Sequence, residues 1–237
     1  MKAEIPAAAA PANRAFAAFS NPAFRIYFLS ATAAMMADNI EHVISYWVIF
    51  EKFHSPALGG FAVVSHWLPY LLFASFSGVL SDRYDIRRLI QIGMLMLLSV
   101  SVGWGIMFWS DSVALWKAML LLVIHGMAGV LWIPASQVLL HQIVGAAQLG
   151  SAVRLGATGR YLGFLVGPAV GGALLLAMGP ARGIFLNAIF YLPMIVWMIG
   201  APYGRAAPNW RPALQGLRGV ADIWAAMQVV ARNRVLL

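Results

Sequence analysis

The chain has 237 residues, of which 62% are hydrophobic and 10% are charged, and its mean hydropathy is +0.79. Soluble domains carry about 45–50% apolar and about 25% charged residues, so water is not the expected solvent for this chain. The formal net charge is +8, but no nucleic-acid-binding motif is present and no nucleic-acid partner is expected. The absence of cysteine excludes disulfides and thiolate metal sites.

Six apolar stretches are long enough to cross a bilayer, because a helix needs roughly 20 mostly apolar residues to span the hydrocarbon core. They are Ile26 to Ile49, Ala57 to Val79, Leu89 to Trp109, Ala118 to Leu139, Gly156 to Met178 and Ile184 to Gly200. Short joints that are polar or contain Gly or Pro separate them, and the longest, HQIVGAAQLGSAVR, covers residues 141–154. The sequence therefore predicts an all-α membrane protein with six transmembrane helices in antiparallel pairs.

Lysine and arginine predict the orientation of these helices, since cytoplasmic loops carry an excess of them. If the N-terminus is cytoplasmic, thirteen of the 16 basic residues fall on the cytoplasmic side, and Lys52, Lys117 and Arg182 fall on the far side. Both termini are thus expected in the cytoplasm. The N-terminus has no apolar segment followed by a cleavage site, so no removable signal peptide is expected.

Composition divides the chain into a cytoplasmic segment (1–22), a six-helix bundle (23–200) and a cytoplasmic linker (201–237). In the linker, Leu214, Leu217, Trp224 and Met227 recur at helical spacing, which predicts an amphipathic helix on the cytoplasmic membrane surface. The chain then ends at VLL, where a further span would begin.

A charged run, SDRYDIRR, lies between the second and third predicted helices. With the glycine before it, the run resembles the loop motif G-x-x-x-D-R-x-x-x-R-R of major facilitator superfamily transporters. The matching residues are Gly78, Asp82, Arg83, Arg87 and Arg88, while Ile86 stands where relatives often carry another arginine. The resemblance implies a gate of ion pairs that break when the two halves rock. If the resemblance is set aside, the alternative interpretation is a solvated loop whose arginines satisfy the positive-inside rule.

The fifth predicted helix contains GFLVGPAVGG, which resembles the G-x-x-x-G-P-x-x-G-G motif of drug and proton antiporters in the same superfamily. The matching residues are Gly163, Gly167, Pro168, Gly171 and Gly172. Arg154 occupies the position of an earlier glycine in that pattern, so the match is to its core. The resemblance implies an exporter, whereas the spacing alone indicates only a smooth stripe for close helix packing.

Together with the first-helix segment MMADNIEHVISYW, these motifs are most similar to the bacterial efflux branch that includes enterobactin and macrolide exporters. The resemblance extends from about Asn13 to the end of the chain. It implies the N-terminal half, with three plus three helices, of a twelve-helix secondary transporter in the inner membrane. Export of a drug or siderophore by proton antiport and alternating access is expected, with a second six-helix half or a second copy as partner. The alternatives are an uptake transporter and a truncated, non-transporting half-bundle or scaffold.

The first predicted helix carries ionisable side chains, because Asp38, Glu41, His42 and Ser45 share one helical face. An ionisable group near the bilayer centre costs at least about 2.5 kcal/mol, so such a cluster indicates function. Asp38, Glu41 and His42 are therefore candidates for proton coupling, with Asp38 nearest the centre of the span. Two alternatives are hydration of Glu41 or His42 at the outer surface and a static hydrogen-bonded packing network.

Three further side chains are candidates for the substrate path: Arg160, Trp67 and Trp132. Arg160 could bind an anionic substrate, pair with a carboxylate of the first helix, or extend to the cytoplasmic surface. His66 and His125 are interpreted as packing residues. Neither H-E-x-x-H nor G-x-S-x-G occurs, so no metal ligand, cofactor or enzymatic activity is predicted.

Overall fold

The structure is a computed structural model that describes residues 15–204, except for the side chains of residues 74–79 and 82–83. Within that range the regular elements are all helical, which confirms the all-α class there. The α-helices are α1 (Pro22–Phe53), α2 (Pro56–Arg83), α3 (Ile86–Trp109), α4 (Leu115–Ala188) and α5 (Leu192–Gly200), with 3-10 turns at Ala17–Ser20 and Ile189–Tyr191.

The first three helices begin at side chains that cap their free backbone N–H groups. Asn21 accepts hydrogen bonds from the second and third residues of α1, and Ser55 accepts one in α2. Asp85 accepts one from Arg87 at the start of α3. Asn, Ser and Asp are preferred at this position because their oxygens satisfy donors that have no partner in the helix.

Helix α4 is interrupted at two glycines whose backbone is not helical, Gly145 (φ 66°) and Gly179 (φ 76°). Positive φ is readily reached only by glycine, so these positions divide α4 into α4a (115–144), α4b (146–178) and α4c (180–188). The prediction of a long joint at 141–154 was wrong: those residues are helical apart from Gly145. Ala146, Ala147 and Gln148 are good helix formers, so one glycine suffices for the turn.

The chain reverses direction at Gly145, as contacts with α1 demonstrate. The Tyr27 hydroxyl, near the start of α1, donates to the carbonyl oxygen of Ser136, late in α4a. Farther along α1, Glu41 contacts His125, which lies earlier in α4a, so these helices are antiparallel. In α4b, by contrast, later glycines meet later residues of α1, so α4b and α1 are parallel.

A second reversal occurs at Gly179. A Cβ atom placed on Gly183 would lie 3.4 Å from the Cβ of Leu174, although nine residues of continuous helix would separate them by about 13.5 Å along the axis. After this turn α4c and α5 run antiparallel to α3, since Phe185 packs on Gly105 and the Ile195 carbonyl accepts from Gln91.

Three described stretches are long and apolar enough to cross a membrane: Pro56–Phe73, Ile86–Trp109 and Leu115–Gly200. The last has 86 residues and would measure about 130 Å as one helix, so its two reversals are needed to fit a bilayer core of about 30 Å. Helix α1 is not among them, and it carries the polar side chains of the candidate site.

Both described ends of the chain lie at the same end of the bundle, beside residues 142–151. The Ser151 hydroxyl donates to the carbonyl oxygen of Ala15 over 2.8 Å, and the Gly204 amide donates to Gln142 Oε1 over 2.7 Å. Residues 1–14 and the predicted amphipathic helix of the linker lie outside the described residues.

The core has two apolar clusters stacked along the bundle. The cluster nearer the chain ends contains Phe24, Ile90 and Leu139, and the other contains Ile44, Trp104 and Ile184. Between them lies a polar layer contributed by several helices, which forms the candidate site.

Candidate functional site

Glu41 of α1 is the centre of a buried hydrogen-bond network. Its side chain is only 2% exposed, and its Oε2 atom accepts a short hydrogen bond from the Ser101 hydroxyl of α3. Asn187 of α4c donates to the same hydroxyl over 3.3 Å, and His125 Nδ1 of α4a lies 2.8 Å from Glu41 Oε1. Hydration of Glu41 at the outer surface, one of the alternatives considered above, is therefore excluded.

Asp38 lies one turn earlier on α1 and shares His125 with Glu41. His125 Nε2 is 2.9 Å from Asp38 Oδ1, and His42 Nδ1 is 3.7 Å from Asp38 Oδ2. His125 thus lies between two carboxylates, with Nδ1 hydrogen-bonded to Glu41 and Nε2 within ion-pair distance of Asp38. Ser45 shares the same face of α1 but stays outside this network, because its hydroxyl donates to the backbone oxygen of Glu41.

Two residues that sequence reasoning assigned to packing, His66 and His125, belong to this site. The ring of His42 lies 4.9 Å from that of His66 and 4.8 Å from that of His125, centroid to centroid. These histidines come from α2, α1 and α4a, so no spacing in the sequence reveals that they meet. The weak signal was their position in otherwise apolar segments, where an ionisable side chain is costly.

Gly126 allows α2 to approach α4a at this point. A Cβ atom there would collide with the backbone carbonyl of Ser65 and would lie 3.2 Å from the Cα of His66. A backbone atom cannot move aside as a flexible side chain can, so residue 126 must be small for His66 to reach His125.

The polar layer borders a cavity of about 270 Å³. Asp38, His66 and His125 line it at one end, and the remaining wall is largely aromatic and aliphatic. All three predicted substrate-path residues also line it: Arg160, Trp67 and Trp132. Arg160 is exposed and forms no ion pair with a residue in the described range, so the suggested pairing with Asp38 or Glu41 is not made.

The sequence matches the family described as transmembrane secretion effector, part of the major facilitator superfamily, over residues 13–229. The chain belongs to this family. The superfamily resemblance drawn from the loop and glycine motifs is thereby confirmed, and the match points to a membrane transporter, not an enzyme. A search of curated protein sequences found no match.

Two solved structures share the fold. One is a variant of the peptide transporter POT in complex with sulfate, at 16% identity and a TM-score of 0.58. The other is the same transporter in complex with alafosfalin, at 15% identity and a TM-score of 0.58. Each match covers 88% of this chain but only 44% and 46% of the respective POT chain, so this chain spans less than half their length.

The glycine motif packs α4b against α1. A Cβ atom on Gly163 would lie 2.8 Å from Met35 Cγ, and one on Gly167 would lie 2.6 Å from Asn39 Cβ. Gly171 meets the backbone of Ile40, whereas Gly172 has no atom within 4 Å of such a Cβ. Gly159, one turn before the motif, contacts Thr32 and Phe28 and was missed by the sequence analysis.

The described part of the charged loop motif ties the start of α3 to the end of α5. Arg87 donates to both carboxylate oxygens of Asp85, at 3.1 and 2.7 Å, and to the carbonyl oxygen of Ala201 at 3.2 Å. Partial burial raises the pKa of Asp85, but the hydrogen bonds and positive charge of Arg87 outweigh it and hold that pKa below its usual value. Arg88 is exposed. Of Gly78, Asp82 and Arg83 the structure describes only the backbone, within α2.

Proposed function

We propose that this chain forms one six-helix half of a secondary transporter that exports a small molecule in exchange for protons. The observation that carries the proposal is the buried pair of carboxylates joined by His125 at the wall of a cavity. Ionisable groups inside an apolar membrane bundle mark substrate and ion pathways, and here they border a cavity.

The six-span arrangement is supported by the reversals at Gly145 and Gly179. The common placement of residues 15–21 and 201–204 at one end of the bundle fits two termini on the cytoplasmic side. The partner is a second six-helix half or a second copy of this chain, as the short coverage of the POT structures suggests. The location is the bacterial inner membrane.

Asp38 is the proposed coupling residue because it is the network carboxylate that also borders the cavity. Glu41 and His42 complete the coupling group: Glu41 fixes His125 from the buried side, and His42 contacts Asp38. Proton binding at Asp38 changes which of these contacts persist. The protein then has two conformations, one stabilised by the proton and the other by the substrate.

The proposed substrate is an amphiphilic molecule with an aromatic part. Trp67 and Trp132 offer flat apolar surface, and Arg160 offers a positive charge toward the other end of the cavity. Gly78, Asp82, Arg83, Arg87 and Arg88 form the proposed cytoplasmic gate, in which the Arg87 contact with Ala201 joins the loop to the last helix of the half.

The test uses everted membrane vesicles that contain this chain, energised to make their interior acidic. Two fluorescent probes, cationic ethidium and anionic anilinonaphthalene sulfonate, report accumulation. We expect at least one probe to accumulate and to be released by a protonophore. Asp38→Asn should abolish driven accumulation without changing the amount of protein in the membrane. Asp111→Asn is the matched control, because Asp111 is 97% exposed at the opposite end of the bundle.

Unchanged accumulation in Asp38→Asn would contradict the coupling role of Asp38. Accumulation only under the opposite gradient would indicate uptake and contradict export. If neither probe accumulates under either gradient, the proposal that this chain itself exports an amphiphilic molecule is contradicted.

A further inference from the structure

Three of the five histidines in the chain face one another inside the bundle. One ring nitrogen from each of His42, His66 and His125 lies within 4.8 Å of those of the other two. The rings come from three helices, α1, α2 and α4a. Each imidazole nitrogen removed from water costs free energy unless a hydrogen bond or a bound ion satisfies it.

Each of the three rings has a buried nitrogen without a hydrogen-bond partner among the described residues, although His125 Nε2 lies 2.9 Å from Asp38 Oδ1. The other two nitrogens are His42 Nε2 and His66 Nδ1. A buried polar atom with no partner is destabilising and calls for an explanation, such as an ion that the site normally holds. Neutral imidazole can donate its free lone pair to a metal ion.

The surroundings of His125 match those of a metal-binding histidine. In such sites the second ring nitrogen is held by a carboxylate, which orients the ring and increases its basicity. Glu41 has this position, with Oε1 at 2.8 Å from His125 Nδ1 and its other oxygen held by Ser101. The other ring nitrogen of His125, Nε2, is then directed toward Asp38, on the cavity side of the network.

We propose that His42, His66 and His125 bind a divalent transition metal ion, with Glu41 as the positioning residue of His125. Three imidazoles suit Zn²⁺ and its neighbours in the first transition series, and the adjacent carboxylates supply negative charge. Ligand nitrogens in a tetrahedral Zn²⁺ site lie about 3.3–3.5 Å apart, so closing the site requires ring movements of about 1 Å. The cavity beside His66 and His125 gives the ion a path and leaves room for a fourth ligand.

Metal binding goes beyond the proposed transport function and does not depend on it. His66 is the discriminating residue, because it forms no ion pair with Asp38 or Glu41 within the described range. Replacing it removes one proposed ligand and leaves the carboxylates and His125 in place. A variant of His66 can therefore lose metal binding while it keeps the residues proposed for proton coupling.

The test is a titration of the full chain, purified in detergent and stripped with EDTA. Zn²⁺ binding is measured by calorimetry and Co²⁺ binding by the visible absorption of tetrahedral Co²⁺. We expect a single ion per chain, and affinity lower by tenfold or more in His66→Gln, about the loss seen at supporting residues of metal sites. His54→Gln and His141→Gln are matched controls, because both histidines are exposed and outside the cluster, and they should bind as the parent chain does.

A second readout is thermal stability, since an ion held by three helices stabilises the folded state by mass action. Zn²⁺ should raise the melting temperature of the parent chain and of both controls, but not that of His66→Gln. If His66→Gln does not fold, His42→Gln takes its place. Absence of binding by the parent chain, or equal binding by the parent chain and the cluster variant, would overturn the proposal.

Discussion

Asp38 and Glu41 are three residues apart on one helix, yet their surroundings assign them different roles. Glu41 is 2% exposed and both of its oxygens are occupied, by Ser101 and His125. Asp38 borders the cavity and contacts two histidines, His125 at Nε2 and His42 at Nδ1. We infer that Glu41 holds the layer together, whereas Asp38 exchanges partners during transport.

Ser101 provides a direct test of the structural part of that inference. Ser101→Ala leaves Glu41 Oε2 buried without a donor, which should lower the free energy of unfolding by about 1–3 kcal/mol. Ser99→Ala is the control on the same helix, because Ser99 is exposed and bonds only to a backbone oxygen one turn away. Unfolding in mixed micelles measures both, and equal stability of the two variants would show that the network contributes nothing.

Asp38, Glu41 and His42 could be predicted from sequence as members of this layer, but His66 and His125 could not. Asp38, Glu41 and His42 lie within one turn of helix, so their shared face follows from helical geometry alone. His66 and His125 join them only through the packing of α2 on α4a at Gly126. That contact is tertiary, and neither histidine has a neighbour in sequence that indicates it.

At the scale of whole elements, the glycine stripe determines how α1 sits in the bundle. Gly159, Gly163, Gly167 and Gly171 place the α4b backbone directly against α1 from Phe28 to Ile40. This contact holds the face that carries Asp38 and Glu41 toward α3 and α4a. Lipid tails are as apolar as helix side chains, so no hydrophobic force drives helices together in a membrane. Close packing of this kind is therefore a main source of their association.

Two glycines of the same motif should respond in opposite ways to alanine. In Gly167→Ala the added Cβ would lie 2.6 Å from Asn39 Cβ and 3.0 Å from a backbone oxygen, which should cost about 1–3 kcal/mol of stability. Gly172→Ala meets nothing within 4 Å, and should be neutral or stabilising by up to about 1 kcal/mol. Thermal unfolding in detergent compares the two. Equal melting temperatures would contradict the packing role of the stripe.

Helix positions were largely predictable from the apolar stretches, but the joints of α4 were not. The predicted joint at 141–154 was based on its polar residues, which in fact continue the helices beyond the apolar stretches. A turn needs only one residue with positive φ, and Gly145 supplies it. The sequence contains 22 glycines, and composition does not identify which of them adopts that backbone conformation.

At the scale of the whole molecule, the proposed export requires a path open to water from the cytoplasmic face to Asp38. The cavity extends from the polar layer toward Leu140 and Val153, the end where residues 15–21 and 201–204 lie. With the orientation proposed above, that end faces the cytoplasm, and the arrangement is the one expected of an inward-facing state. Alternating access requires that this path close in a second state.

Cysteine labelling tests this path most directly, because the chain contains no cysteine of its own. Ala157→Cys places a thiol on the cavity wall, and Val196→Cys places one on an exposed apolar face of α5. With a membrane-impermeant thiol reagent, we predict labelling of Ala157→Cys in everted vesicles, where the cytoplasmic face is outside, and no labelling of Val196→Cys. Labelling of Ala157→Cys only from the opposite face, or from neither face, would contradict the account.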